Sequence, residues 1–369
     1  MVSSDDGELP TFARTRPVRS TSSLRKRSRD DSAALNLELL ASSARTAEKI
    51  VIFSGSGLSA TSGMSTFSTP GGLYDRAQKK YKLASGKLLF TYPFYSKRKV
   101  EAEAFFVQIH QEALRAHPAK GHEVIAALRS AGRLLRHYTL NIDGLATLVP
   151  GMRQDVWDPE SNPSGRTVEM HGSVHELVCT ACGETKRLDD EDVFFLSTES
   201  SVPCTSASCL EQKAQHGVVN CMRFKVMMYD DAEGEFITPD EVMDLMEEDI
   251  KDADLVIWVG ISFEQSASTS YFRNVRRWLQ EDDRQHNVPQ FVINPSDDAL
   301  WNVLTASSNQ QELNVTEIIG TADDILPMLL LARSDERGGE CPFPTRETGS
   351  SHETSQEDGD QHNPSPSDE

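Results

Sequence analysis

Short apolar runs alternate with stretches of helical periodicity along most of this chain. The apolar runs predict strands at 50–53, 136–140, 225–229, 254–259, 290–293 and 315–319. Apolar residues recur at helical spacing and predict helices at 35–47, 121–128, 239–250, 270–279 and 323–331. Strands that alternate with helices in this way predict an α/β fold with a Rossmann-like, doubly wound parallel sheet.

Two segments interrupt the alternation, and the two ends of the chain fall outside it. Residues 78–117 carry Lys, Tyr and Phe in irregular, mostly helical patterns and predict a helical insert. Residues 173–223 are polar and contain cysteines, which predicts a small separate module. Residues 1–44 predict a disordered, Ser-rich and basic N-terminus that ends in a short helix, and residues 334–369 predict a disordered acidic tail. The central domain is therefore predicted to run from 45 to 333.

Charge is spread unevenly along the chain, whose net charge is −20. The tail holds ten acidic residues and two arginines, whereas the segment LRKRSR at 24–29 is basic. This basic segment is either a nuclear-localisation patch or ordinary solvated charge. An acidic chain suits a basic protein substrate better than nucleic acid, so we expect no sequence-specific nucleic-acid binding. No run of 18 apolar residues occurs, so we expect no membrane partner.

A glycine-rich loop follows the first predicted strand. Gly55 and Gly57, with Ala60 three residues on, match the G-x-G-x-x-A fingerprint by which backbone N–H groups approach a phosphate. No buried second strand ending in an acid follows, because Asp75 leads into polar sequence, and this excludes the dehydrogenase version. No Gly-Lys-Ser/Thr follows either, which excludes a P-loop. The alternative is a tight turn that binds nothing.

Cysteines in two close pairs predict a metal site in the polar module. Cys179 and Cys182 form the first pair, and Cys204 and Cys209 form a second pair with wider spacing. Four thiolates satisfy tetrahedral Zn²⁺ and leave no position for a catalytic water, so the zinc is predicted to be structural. Cys221 could replace Cys209 as the fourth ligand, and independent reduced thiols are the alternative to a metal site.

His171 is the candidate base. It lies in Glu169-Met170-His171-Gly172, just before the cysteine-rich module, with His175 four residues further on. Imidazole titrates near neutral pH and can accept a proton in catalysis. Both histidines could instead be core residues or metal ligands.

Together these motifs resemble the sirtuin family of NAD-dependent protein lysine deacylases. The family loop GAGxSxxSGIPDFRS is matched by residues 55–69, TQNID by 139–143, HG by 171–172 and GTS by 260–262. The family's later Asn, which follows an apolar strand, corresponds to Asn294, and its terminal glycine turn corresponds to the turn that contains Thr321. These matches occur in family order between about 45 and 331. Residues 71–74 and 222–229 most resemble the nuclear, fungal-type histone-deacetylating branch.

The resemblance implies an NAD-dependent protein deacetylase that transfers the acyl group to ADP-ribose, releases nicotinamide and acts on acetylated lysines of histone-like nuclear proteins. It implies that His171 is the base and that Asn141 sets the ribose and a water. It implies NAD as cofactor besides structural Zn²⁺, a nuclear location (otherwise cytoplasmic), and a cofactor-binding set of Gly55, Ser56, Gly57, Ser59, Gly63, Phe67, Tyr74, Asn141, Asp143, Gly260, Ser262, Asn294 and Thr321.

The sequence departs from the family pattern in and around the cofactor loop. Thr66 and Ser68 replace an Asp and an Arg, Leu140 replaces a Gln, and Ile261 replaces a Thr. Losing a hydrogen bond to a charged group costs about 1.5–3 kcal/mol, which predicts roughly 10- to 100-fold weaker NAD binding. Two alternatives to the deacetylase therefore stay open: a catalytically weak or silent NAD- or ADP-ribose-binding scaffold, and a mono-ADP-ribosyltransferase.

Overall fold

A computed structural model describes residues 23–153, 166–198, 201–238, 241–284, 287–306 and 314–331. The predicted acidic tail, 334–369, and the first 22 residues of the predicted N-terminal segment lie outside the described residues. The strands are β1 (Ile50–Ser54), β2 (Leu134–Thr139), β3 (Thr167–Glu169), β4 (Gly172–Val178), β5 (Thr185–Arg187), β6 (Arg223–Val226), β7 (Leu255–Val259), β8 (Gln290–Asn294) and β9 (Val315–Ile319).

Fourteen α-helices accompany these strands within the described residues. They are α1 (Ser23–Thr46), α2 (Ser56–Ser59), α3 (Leu73–Tyr81), α4 (Tyr92–Lys97), α5 (Lys99–Ala113), α6 (Lys120–Ser130), α7 (Leu145–Leu148), α8 (Asp190–Ser197), α9 (Ala207–His216), α10 (Glu241–Asp252), α11 (Ser266–Glu281), α12 (Asp298–Ala306), α13 (Ala322–Ile325) and α14 (Met328–Leu331). Two short 3₁₀ helices occupy Gly86–Phe90 and Gly234–Phe236. Across the part of the chain that the structure describes, no helix has the length and apolar character needed to cross a bilayer.

The main sheet has six parallel strands in the order β3-β2-β1-β7-β8-β9. Counted in chain order among themselves, these strands follow the 3-2-1-4-5-6 arrangement of doubly wound, dinucleotide-binding folds. The predicted fold class is therefore confirmed. The strand order reverses between β1 and β7, and in such sheets ligands bind outside the carboxyl ends of the strands at this point.

A second, antiparallel sheet has the order β5-β4-β6. The strand predicted at 225–229 was expected to continue the alternating series, and this was wrong, because β6 pairs with β4 in the small sheet. A short apolar run indicates a strand but does not say which sheet it joins. Phe224 on β6 is fully buried in a core shared with Phe105 and Phe106 of α5. The helical insert and the cysteine-bearing module therefore pack around one hydrophobic cluster.

Two predicted helices differ most from those observed. The helix predicted at 35–47 begins earlier, at Ser23, so the basic segment 24–29 lies within a helix. Leu40 and Ala44, one turn apart, are fully buried against the sheet, which explains why its second half was recognisable. The helix predicted at 323–331 consists of α13 and α14, with Pro327 between them, because proline lacks the N–H that a continuous helix needs.

Candidate active site

A cavity of about 520 Å³ opens at the carboxyl ends of the main-sheet strands. Its volume lies in the range of small-molecule and cofactor sites. Loops after β1, β2, β7 and β8 line it, as the doubly wound topology predicts. It brings together most of the predicted site residues: Gly55, Ser56, Gly57, Phe67, Tyr74, Asn141, His171, Gly260, Ser262, Asn294 and Thr321.

Three predicted site residues do not line this cavity. Ser59 is fully buried beneath it, where its hydroxyl accepts a hydrogen bond of 3.0 Å from Asn141 Nδ2. Gly63 occupies a turn with φ of +88°. Asp143 lines a much smaller neighbouring cavity, which shares Ser56 and Asn141 with the main one. Ser59 contacts the cavity through Asn141, and its predicted role in cofactor binding stays a prediction.

The two glycines of the cofactor loop are needed for packing between loops. A Cβ at Gly55 would lie 2.7 Å from Gly260 O, and a Cβ at Gly57 would lie 2.6 Å from Gly260 Cα. The amides of Gly55 and Gly57 donate to Val259 O and Gly260 O, each at 3.0 Å. These two N–H groups are bonded to the end of β7 and the turn after it, so they do not point freely into the cavity.

His171 sits between β3 and β4, half-buried at the cavity wall. Its Nδ1 lies 3.1 Å from Leu140 O, and because a carbonyl only accepts, Nδ1 carries the proton. Burial lowers the pKa of His171 to about 4, although the bond to Leu140 O acts in the opposite direction. The imidazole is therefore neutral at pH 7, with the lone pair of Nε2 free to accept a proton.

Asn141 offers the second reactive group. Its Nδ2 donates to Ser59, while its Oδ1 is buried and has no hydrogen-bond partner among the described residues. A buried acceptor without a partner loses hydrogen-bond energy, so it favours a water or a ligand hydroxyl at that point of the cavity. Asn141 and His171 thus present two acceptors to the same cavity.

The cavity lining carries negative but no positive charge. Among the described residues that line it, none is Lys or Arg, and Glu264 and Asp298 are carboxylates. Thr66 and Ser68, the positions of the family's Asp and Arg, both line the cavity. Ser68 Oγ lies 3.5 Å from Ser262 Oγ. An anion here would have to be bound by neutral hydroxyl and amide donors.

Sequence reasoning missed several lining residues. The Tyr229 hydroxyl lies 3.3 Å from that of Tyr74, linking the chain after β6 to the start of α3. Asn302 Nδ2 donates to Ser262 O at 2.9 Å and holds the loop after β7. Gln265 and Ser268 line the cavity from the start of α11. Of these residues, only Tyr229 could have been recognised from the sequence as a lining residue, because it ends an apolar run.

The cysteine cluster fits a tetrahedral zinc site. The Sγ atoms of Cys179, Cys182, Cys204 and Cys209 all lie within 4.8 Å of one another. The pairs Cys179–Cys209 and Cys182–Cys204 are 3.8 and 3.7 Å apart, and a tetrahedron with Zn–S bonds of about 2.3 Å has edges of about 3.8 Å. Cys221 is not part of this cluster, which decides the fourth ligand in favour of Cys209.

The sequence profile of the Sir2 family matches residues 55–266, more than half of the chain. This chain belongs to the Sir2 family. The resemblance to sirtuins is thereby confirmed, and the structure shows why the separated motifs belong together: each follows a strand or turn that ends at the same cavity.

Curated relatives of this sirtuin include fungal deacetylases. The NAD-dependent protein deacetylase hst4 of Emericella nidulans is 30% identical over 238 residues, which cover 61% of this chain and 38% of the relative. The NAD-dependent histone deacetylase HST4 of Saccharomyces cerevisiae is 30% identical over 230 residues, which cover 58% of this chain and 60% of the relative. The chain therefore spans only about two fifths to three fifths of the length of these relatives.

Solved structures of Sir2 homologues share the fold. A mutant complexed with 2′-O-acetyl ADP-ribose has a TM-score of 0.58 at 20% identity and covers 81% of this chain and 98% of that chain. A Sir2 homologue in complex with NAD has a TM-score of 0.56 at 18% identity, covering 81% and 94%. At such identities the likeness establishes the fold of this sirtuin.

Proposed function

We propose that this chain is an NAD-dependent protein lysine deacetylase. The observation that carries the proposal is the neutral His171, whose Nδ1–H is bonded to Leu140 O and whose Nε2 is free at the cavity wall. Asn141, with its unpartnered Oδ1, lies in the same cavity. The similarity to fungal NAD-dependent protein and histone deacetylases supports this assignment.

The residues present fit NAD as the co-substrate. The cavity is large enough for a nucleotide, and its hydroxyl and amide groups come from four different loops. Ser56 and Ser262 would hold the central phosphates, and Asn294 and Thr321 the adenosine end. When bound, NAD supplies the ADP-ribosyl group to which the acetyl group is transferred as nicotinamide leaves.

The protein's own groups then act on protons and water. His171 Nε2 accepts the proton of a ribose hydroxyl, as a neutral imidazole can. The Leu140 carbonyl holds the ring in the required tautomer and stabilises the imidazolium that forms. Asn141 Oδ1 accepts a hydrogen bond from a water or ribose hydroxyl. Phe67 and Phe90 supply apolar walls that exclude bulk water from the reacting centre.

The substrate side of the cavity favours an acyl-lysine in a basic protein. Val226, Met228 and Tyr229 form an apolar wall that suits the methylenes of a lysine side chain and its acetyl group. The net charge of −20 attracts basic segments such as those of histones. We therefore propose histone-like nuclear proteins as substrates, with the basic segment 24–29 as the candidate localisation signal.

The test is NAD-dependent nicotinamide release by the purified full chain with acetylated histone peptides. We expect turnover that requires both NAD and the acetyl group, and loss of it in His171→Ala. Absence of release above the His171→Ala background would reject the deacetylase.

A silent ADP-ribose-binding scaffold is the second candidate, favoured by the absence of Lys and Arg among the described lining residues. Calorimetry that shows ADP-ribose binding without turnover would support it. Transfer of labelled ADP-ribose to the peptide without deacetylation would instead indicate a mono-ADP-ribosyltransferase.

A further inference from the structure

Two histidines contact each other behind the loop 140–144, at a place that the proposed reaction does not use. His110 on α5 is buried, and His175 on β4 is half-buried. Their Nδ1 atoms are 2.9 Å apart, and their ring centroids are 4.8 Å apart. Neither ring lines the main cavity or the smaller one beside Asp143.

The partners of the two rings fix their protons. His175 Nε2 lies 2.9 Å from Asp143 O, and His110 Nδ1 lies 3.1 Å from Val174 O. Carbonyls only accept, so both of these nitrogens carry protons. His175 Nδ1 then has a lone pair and accepts from the shared His110 Nδ1–H. The arrangement requires a neutral His175, because a second N–H between the two Nδ1 atoms would repel the first.

This pair belongs to a set of bonds that hold the loop 140–144. His171 Nδ1 donates to Leu140 O, the amide of Val174 donates to Ile142 O at 2.9 Å, and His175 Nε2 donates to Asp143 O. Three of the loop's carbonyls are thus bonded to the segment 171–175. A Cβ at Gly144, whose φ is +69°, would lie 2.8 Å from His175 Cδ2. The His175 ring therefore packs directly on the loop.

We propose that His110 and His175 are positioning residues, a neutral pair through which the helical insert fixes the loop 140–144 and its Asn141 and Asp143 side chains. The inference deepens the proposed function and rests on it. Burial lowers the pKa of His110 to about 4, with the neighbouring His175 acting in the same direction, and burial also lowers the pKa of His175. Both rings are thus neutral at pH 7, and the geometry separately requires this of His175.

The first arm of the test needs no catalysis. Long-range ¹H–¹⁵N spectra of the ¹⁵N-histidine-labelled full chain at pH 7 would report the tautomer of each ring. We expect His110 as the Nδ1–H tautomer and His175 as the Nε2–H tautomer, assigned with His110→Asn and His175→Gln. A His175 that carries its proton on Nδ1, or that titrates near 6.5, would overturn the proposal.

The second arm separates positioning from mere stability. His110→Phe removes the donor, whereas His110→Asn keeps an amide N–H where Nδ1 was, and His117→Phe changes an exposed histidine as a matched control. For His110→Phe we expect kcat to fall about fivefold and the inhibition constant of nicotinamide to rise about fivefold. A change of about fivefold corresponds to the loss of one buried neutral hydrogen bond. The ADP-ribose Kd should stay within about twofold, and Asn should restore both parameters.

Two results would count against the pair as a positioning device. Equal weakening of ADP-ribose and nicotinamide binding by His110→Phe would indicate a general structural defect, and unchanged kinetics would indicate no role. If neither the parent chain nor any of the variants releases nicotinamide, the proposed function fails. The tautomer spectra and the ADP-ribose titrations would still decide whether the pair exists and holds the loop.

Discussion

Two loops line the same cavity, and they differ in how much of the family pattern they keep. The cofactor loop, 55–69, has lost both charged positions, which are Thr66 and Ser68. The loop 140–144 keeps Asn141 and Asp143 and lies against an intact His171. The groups proposed to accept protons are thus retained, whereas the two charged positions of the family's cofactor loop are not.

The two loops are also held differently. Segment 171–175 bonds three carbonyls of the loop 140–144. The cofactor loop is anchored from outside at Ser65, whose amide donates to Glu112 Oε1 at 2.6 Å while Arg76 pairs with Glu112 at 2.7 Å. If these residues have the proposed roles, cofactor affinity and catalytic chemistry depend on different loops of one cavity. The variants below, from the largest expected effect to the smallest, test that separation.

Removing the metal should disrupt the wall that carries His171. Cys209→Ser takes one of four ligands from the zinc cluster, and structural zinc contributes about 10 kcal/mol or more in small domains. Even if about 4 kcal/mol is lost here, the thermal midpoint should fall by roughly 10 °C. Zinc content and thermal unfolding check this. Cys221→Ser is the matched control, and equal zinc loss in both variants would contradict the ligand assignment.

Replacing the base should affect chemistry and leave binding intact. His171→Ala should lower kcat by about 10²–10⁴-fold, the usual contribution of a general base, with ADP-ribose affinity nearly unchanged. His216→Ala, at an exposed histidine of α9, should have no effect. A loss of ADP-ribose affinity as large as the loss of rate would break the comparison between the two walls.

The pH at which the activity of the parent chain falls on the acid side should reflect the lowered pKa of His171, the proposed base. The neutral imidazole is the active form, so kcat/KM should fall as the pH drops through about 4, the lowered pKa of His171. An exposed histidine would place that fall near 6.5. Unfolded histidines bind protons at about 6.5, so folding stability also declines between pH 6.5 and 4. Circular dichroism at each pH separates the two effects.

Restoring the missing charge should improve binding and leave the chemistry as it is. Ser68→Arg returns a cation to the phosphate side, so the ADP-ribose Kd should fall about 10-fold at low salt and rise again with added salt. Ser68→Gln adds length without charge and should gain little. Calorimetry at two ionic strengths checks both variants, and an unchanged Kd for Ser68→Arg would show that the lost arginine does not limit affinity.

Weakening the contact of Glu112 with Ser65 and Arg76 should have the smallest effect on ADP-ribose binding. Glu112→Gln removes the charge that pairs with Arg76 and holds the Ser65 amide. Partly exposed pairs are worth about 1 kcal/mol at most, so the ADP-ribose Kd should rise no more than about fivefold. Glu101→Gln, which removes a partly exposed ion pair with Arg98, is the matched control and should leave Kd unchanged.

The sequence predicted the parts of the site that follow long apolar strands. Gly55 and Gly260 come directly after β1 and β7, Asn294 ends β8, and Asn141 follows β2 after one residue. Parallel strands bring these ends to one edge of the sheet. The His110–His175 contact could not be predicted, because it joins a helix of the insert to the second sheet. Nothing in spacing reveals such a contact.

Short strands and the orientation of side chains also could not be predicted from the sequence. β3 has three residues, too few for a period-two pattern, although it places Glu169 just before His171. Ser59 carries a family motif position, but its direction depends on how α2 turns beneath Asn141. The choice between Cys209 and Cys221 also needed coordinates, because both lie at plausible spacing from Cys204.

The contact of Gly55 and Gly57 with Gly260 bears on how proteins of this type are catalogued. Any side chain at either position would collide with the turn after β7, so selection for the fold alone keeps both glycines. A homologue that had stopped binding nucleotides would keep them as well. The G-x-G pattern therefore indicates the fold rather than the activity. An assignment of enzymatic activity in proteins of this type should also require the histidine after β3.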